Sequence, residues 1–157
     1  MNWIRWAPLA AASLHIVEEF FWPGGFPEWD RAYRPAFAST ITPRFHIIIN
    51  GLLLILCYDA GQLVPTPSGV ALWLAVTALL AGNAIWHLVG AYKTRRYSPG
   101  MVTGLLLYLP LMVWGYVWFL RTGLASYVTA ILAFLVGASY TLFVGKALHR
   151  MRKGQSS

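Results

Sequence analysis

Apolar residues run in five long blocks along the chain, at roughly 3–21, 45–63, 70–92, 101–120 and 124–146. Each is close to the ~20 residues that a helix needs to cross a bilayer. The breaks between them are chemically sharp. Trp22-Pro23-Gly24-Gly25 stops the first block, and Val64-Pro65-Thr66-Pro67-Ser68-Gly69 parts the second from the third. Lys93-Thr94-Arg95-Arg96-Tyr97-Ser98-Pro99-Gly100 parts the third from the fourth, and Arg121-Thr122-Gly123 links the last two. Proline removes a backbone donor and clashes with the preceding turn, so helices end at such places. A five-stranded barrel cannot close in lipid, which leaves helices as the spanning element. The pattern predicts an all-α fold: a polytopic transmembrane bundle of five helices in one domain over 1–148, with a short basic tail at 149–157. The first block has the single Arg and the small residues of a signal peptide. It also carries Glu18 and Glu19, and no soluble domain follows, so it reads as a retained helix.

Composition narrows the class. The 157 residues are 58% hydrophobic and 11% charged, against about 25% charged in a soluble domain. Disordered chains and disulfide scaffolds are excluded. The lone Cys57 rules out an internal disulfide and any Cys-rich metal site. Net charge is +7, but the basic residues are scattered over loops without a recognition motif, so nucleic acid is not an expected partner. Their distribution sets the topology instead. Arg5 and Arg121 fall on one side. Arg31, Arg34, Arg44, Lys93, Arg95, Arg96, Lys146, Arg150, Arg152 and Lys153 fall on the other. The positive-inside rule then places the N-terminus outside and the C-terminus in the cytoplasm, as in a bacterial-type plasma (inner) membrane. Between 22 and 44, Phe26, Trp29, Tyr33 and Phe37 are interleaved with Glu28, Asp30, Arg31 and Arg34. This reads as a short amphipathic segment on the cytoplasmic surface, serving as an anchor or a lid.

The informative residues are the polar ones inside the apolar blocks, because ionisable groups there are costly and face a bundle interior or a watery cavity. His15, Glu18 and Glu19 stand at i, i+3 and i+4 on one helical face. His46 and Asn50 are four apart on the second helix, and Asn83 and His87 four apart on the third. With the topology above, all seven fall in the cytoplasmic half of the bilayer. A single buried His or Asn is most often an interhelix hydrogen bond; the set as a whole points to a site. Imidazoles and carboxylates are ligands for zinc, iron or manganese. The expected arrangement is a divalent metal on His15, Glu18, His46 and His87, with Glu19 as acid or base and Asn50, Asn83 and Tyr97 orienting substrate. The same groups without metal would suit an isomerase or lyase that uses the glutamate pair. A binder, transporter or subunit of a membrane complex is the non-enzymatic alternative, although the nearly bare outer half disfavours a pore. Gly104, Gly115, Gly137, Ser139 and Gly145 offer close helix packing, within the chain or in a homodimer.

Three elements in this order, His15-x-x-Glu18-Glu19, Asn83-x-x-x-His87 and Tyr97-x-Pro99-Gly100, resemble the defining motifs of the HXXEE-domain integral membrane proteins. In that family the last motif pairs a His with a Tyr-x-Pro-Gly ten residues on, the separation of His87 and Tyr97. The resemblance implies an enzyme-like site without naming a reaction. The expected ligand of such a site is a lipophilic or amphipathic small molecule. Membrane lipid is a second expected partner; Arg95 and Arg96 read first as positive-inside residues, with contact to an anionic headgroup or substrate as the alternative.

Overall fold

The structure is a computed structural model that describes residues 3–154, with side chains described as far as Tyr140. Among the described residues there are helices and no strands: α1 (Trp3–Phe20), α2 (Phe26–Tyr33), a 3-10 turn (Pro35–Phe37), α3 (Pro43–Leu63), α4 (Pro67–Thr94), α5 (Met101–Arg121) and α6 (Tyr127–Gly154). α3, α4 and α5 are each long and apolar enough to cross a membrane. α1 is shorter and carries Arg5, Glu18 and Glu19.

The helix starts differ from the apolar blocks for a local reason. α3 begins at Pro43, behind Thr42, whose hydroxyl accepts from the Phe45 amide at 3.2 Å. α4 begins at Pro67, behind Thr66, which accepts from the Gly69 amide at 3.1 Å. A threonine cap followed by proline in the first turn is a helix start that hydropathy does not see. α6 continues to Gly154, through most of the residues assigned to the basic tail. His149, Gly145 and the tail's basic side chains lie outside the described side chains.

α4 is the central helix, packed against α1, α3, α5 and α6. It is largely buried, whereas α3 and α5 leave most of their surface exposed. That exposed surface is apolar: Ile47, Ile48 and Ile55 on α3, Leu106 and Val113 on α5, Ile131 and Leu135 on α6. Small residues let the other helices close on α4. Buried Trp73 donates its indole N–H to the Ile4 carbonyl at 3.1 Å, and a Cβ at Gly115 would stand 2.1 Å from its ring. A Cβ at Gly137 would meet the Ala75 carbonyl oxygen at 2.2 Å, and one at Gly104 the Ala84 methyl at 3.0 Å. These glycines therefore pack inside the chain.

The two ends of the bundle differ in chemistry. At one, Arg5 donates to the Gly61 carbonyl at 2.9 Å, beside the C-terminus of α3. The other holds the ionisable cluster, roofed by α2 and by the loop between α4 and α5.

Candidate functional site

α1 carries His15 and Glu19 one turn apart, and α4 carries His87 opposite them. Glu19 Oε1 lies 3.3 Å from His15 Nε2 and 3.1 Å from His87 Nε2. All three side chains are buried, and their donor atoms lie within 4.8 Å of one another. The histidine rings meet edge to face at 5.1 Å between centroids.

Each imidazole is held from behind. His15 Nδ1 sits 2.9 Å from the Thr103 hydroxyl, and that hydroxyl donates to Glu18 Oε2. The Thr103 oxygen is then an acceptor for His15 Nδ1–H, which leaves Nε2 as the lone-pair nitrogen facing Glu19 and accepting from Asn83 Nδ2 at 3.1 Å. His87 Nδ1 is 2.8 Å from the Ser98 hydroxyl. His87 Nε2 is buried and makes no hydrogen bond despite its closeness to Glu19. Both rings thus direct Nε2 at one carboxylate oxygen. A hydrogen on His87 Nε2 would point at Glu19, and the same three donors could instead take a metal ion.

The loop after α4 closes the site. Gly100 has φ +98°, a conformation glycine adopts freely, and a Cβ there would lie 2.7 Å from His15 Cε1 and 2.9 Å from His87 Cε1. Bare backbone is what fits over the two rings. Glu18 anchors the same loop. Its carboxylate accepts from the Val102 amide at 3.0 Å, the Thr103 amide at 2.7 Å and the Tyr97 hydroxyl. Burial and the neighbouring Glu18 carboxylate push the Tyr97 phenol well above its ordinary value. In α5, a π turn at Gly104–Tyr108 accompanies a buried Tyr108 whose ring centroid is 4.6 Å from that of His15.

The structure therefore does not bring together the expected set of His15, Glu18, His46 and His87. Glu18 is saturated by the loop, and Glu19 takes the place facing the histidines. The reason is angular: consecutive residues on a helix point about 100° apart, and only one of the pair can face α4. His46 stands apart from the cluster. Its Nε2 lies 3.4 Å from Asp30 Oδ2, while Arg34 grips the same carboxylate through two hydrogen bonds of 2.7 and 2.6 Å. Asp30 is fully buried. Burial by itself raises its pKa, but the hydrogen bonds from His46 and Arg34 outweigh this and hold the carboxyl below its ordinary 3.8. Asn50 and Asn83 line a cavity of about 300 Å³ between α2, α3 and α4, with Glu19, His46 and Trp86. Tyr97 bonds Glu18 and lies partly exposed. Arg95 and Arg96 are exposed.

α2 is the lid over this end. Phe26 packs on His46, His87 and Trp86, and Trp29 on Trp86. Arg34 lies 4.9 Å above the Trp86 ring. Ser98, Thr103 and Tyr108 carry no signal in the sequence that marks them for the site. Phe26, Asp30 and Arg34 do recur at four-residue spacing, a helical face that is legible there.

A family described as "Protein of unknown function with HXXEE motif" matches residues 6–115. The chain is 31% identical over 104 residues to YrkK of Bacillus subtilis (strain 168), an uncharacterised protein, covering 64% of each chain. It thus spans less than two thirds of that relative's length. No solved structure matches. The match reaches from α1 into α5 and includes every residue of the His-Glu-His cluster and its roof, so the chain belongs to the HXXEE family.

Proposed function

We propose that the protein is a membrane-embedded, metal-dependent enzyme acting on a lipophilic or amphipathic small molecule. In this reading α1 and α3–α6 span a bacterial-type inner membrane, with the N-terminus outside and the site toward the cytoplasm. The observation that carries it is the spacing of three buried donors. Glu19 Oε1 is 3.3 and 3.1 Å from the two Nε2 atoms, near the ~3.4 Å between neighbouring ligands of a tetrahedral metal, and the three donors all lie within 4.8 Å of one another.

His15, Glu19 and His87 would hold the ion. Two imidazoles and one carboxylate suit zinc, iron or manganese and leave positions open for substrate. The ion would act as a Lewis acid on an oxygen of the substrate. The chain's own residues do the rest. Glu18, through Thr103, sets the tautomer of His15, and Ser98 holds the angle of His87, as groups behind metal-bound histidines usually do. Phe26, Trp29 and Trp86 keep water out from the α2 side. Asn83 and Asn50 offer amides to a substrate in the adjoining cavity.

Metal analysis of detergent-purified protein, prepared without chelator, tests this, with wild type measured beside His15→Ala and His87→Ala. About one ion per chain is expected in wild type and a large loss in each variant. Metal-free wild type would overturn the reading. Glu19 flanked by two histidines would then be examined as a metal-free acid–base group. Metal retained in the double variant would place the ion elsewhere and overturn it equally.

A further inference from the structure

We infer that the cavity beside Glu19 holds a single-chain amphiphile, with its polar end against the cluster and its alkyl tail running inward between α3 and α4. This names a substrate class for the site proposed above and rests on that reading.

The cavity is a slot that changes from polar to apolar along its length. On α3 it is lined by His46, Ile49, Asn50 and Leu53, and on α4 by Trp86, Asn83 and Leu79. Both sets fall at steps of three and four residues, so each is one helical face. α3 and α4 are joined by the short turn at 64–66 and run antiparallel. His46 therefore stands level with Trp86, Asn50 with Asn83, and Leu53 with Leu79. The two walls change character at the same depth. From His46 to Leu53 the slot runs about 10 Å, at 1.5 Å per residue.

The middle level touches the cluster. Glu19 is the cluster residue that lines the slot, and Asn83 donates to His15 at 3.1 Å. Asn50 makes no side-chain hydrogen bond among the described residues and is partly exposed, so its amide borders open space. An amide that faces only hydrocarbon is unfavourable, so the ligand group at this level is polar. One turn further in, Leu53 and Leu79 offer a polar group nothing, and a hydrocarbon fits there. A purely apolar molecule would leave Asn50 and Glu19 without partners. A compact polar one would leave the Leu53–Leu79 end empty. The volume of about 300 Å³ is at the small end for a ligand pocket, enough for one chain and too little for a two-chain lipid.

The test uses wild-type protein in detergent-free nanodiscs of two-chain phospholipid and two monoacylglycerol probes. One carries a diazirine at the end of its chain and the other carries it on the glycerol. Labelled residues are mapped by mass spectrometry, and only label displaced by unmodified monoacylglycerol is counted. The chain-end probe is expected at Leu53 and Leu79, and the glycerol probe at Phe45 and Trp86. Diacylglycerol at equal concentration should displace neither. Asn50→Leu is close in size and breaks no side-chain bond within the described residues. It should weaken labelling by the glycerol probe about tenfold, as for one lost hydrogen bond. Absence of displaceable label, the two probes on the same residues or in reversed order, equal displacement by diacylglycerol, or unchanged labelling of Asn50→Leu would each overturn the inference. Metal content is measured on the same samples. His87 does not line the slot, so His87→Ala should lose metal and keep the label. Failure of the metal reading and failure of the amphiphile reading are thus separable.

Discussion

Thr103 donates both its backbone N–H, at 2.7 Å, and its hydroxyl to Glu18 Oε2. This pair ties the start of α5 to α1 and, through the same hydroxyl, sets which nitrogen of His15 carries hydrogen. Glu18 and Glu19 are adjacent in sequence and do different things. Glu18 builds the roof and orients a ring, whereas Glu19 faces the cluster.

That division predicts different losses. Glu18→Gln should keep a metal site but weaken its affinity about 10–100-fold, the usual effect of removing a group behind a ligand. Glu19→Gln removes one of three donors and should abolish stoichiometric metal. Titration with zinc against a competing chelator reads both. Equal effects would show that the two carboxylates are not divided in this way.

Gly100→Ala should damage the cluster from outside it. The new Cβ would meet both imidazoles at under 3 Å, and the positive φ adds strain of about 1–3 kcal/mol. Gly123→Ala is the control, since Gly123 also has positive φ (+71°) and has nothing within 4 Å of its Cβ position. Both variants should melt earlier, and only Gly100→Ala should lose metal.

The Asp30 clamp should be visible in the acid limb of stability. Its carboxyl lies below the ordinary 3.8 in the folded protein. Its contribution is therefore whole above that value and is lost as pH falls through the lower folded pKa. Thermal melts in detergent from about pH 6 to about pH 3 should fall for wild type and fall less for Asp30→Asn. Near neutral pH the variant should be less stable by about 1–3 kcal/mol, because Arg34 is partly exposed and can return to water.

The lid can be lifted from below. A Cβ at Gly90 would stand 2.4 Å from Trp29 Cη2. Gly90→Ala favours helix α4 by about 1 kcal/mol in propensity, yet Trp29 must give way. Hydrogen exchange over Phe26–Tyr33 should quicken at least about tenfold while α4 stays protected. Unchanged exchange in α2 would show that Trp29 is not the seat of the lid.

Much of this protein is determined by sequence alone, because both the bilayer-length apolar blocks and the helical spacing of their polar residues are local properties. The helical class follows from the blocks and their Pro/Gly breaks. The polar sets His15/Glu18/Glu19, His46/Asn50 and Asn83/His87 follow from helical spacing, and the Tyr97-x-Pro99-Gly100 turn is visible as a motif. Tertiary structure decided which member of each polar pair faces which neighbour. Glu18 and Glu19 share a broad helical face, and the return of the 97–103 loop commits Glu18 to Tyr97, Val102 and Thr103. His46 repeats the spacing of a ligand, but α2 folds back and sets Asp30 against it. That docking depends on Trp29 fitting the bare backbone at Gly90 and Phe26 fitting among His46, Trp86 and His87. Such contacts join residues tens of positions apart, and shape complementarity between distant segments leaves no periodic trace along the chain.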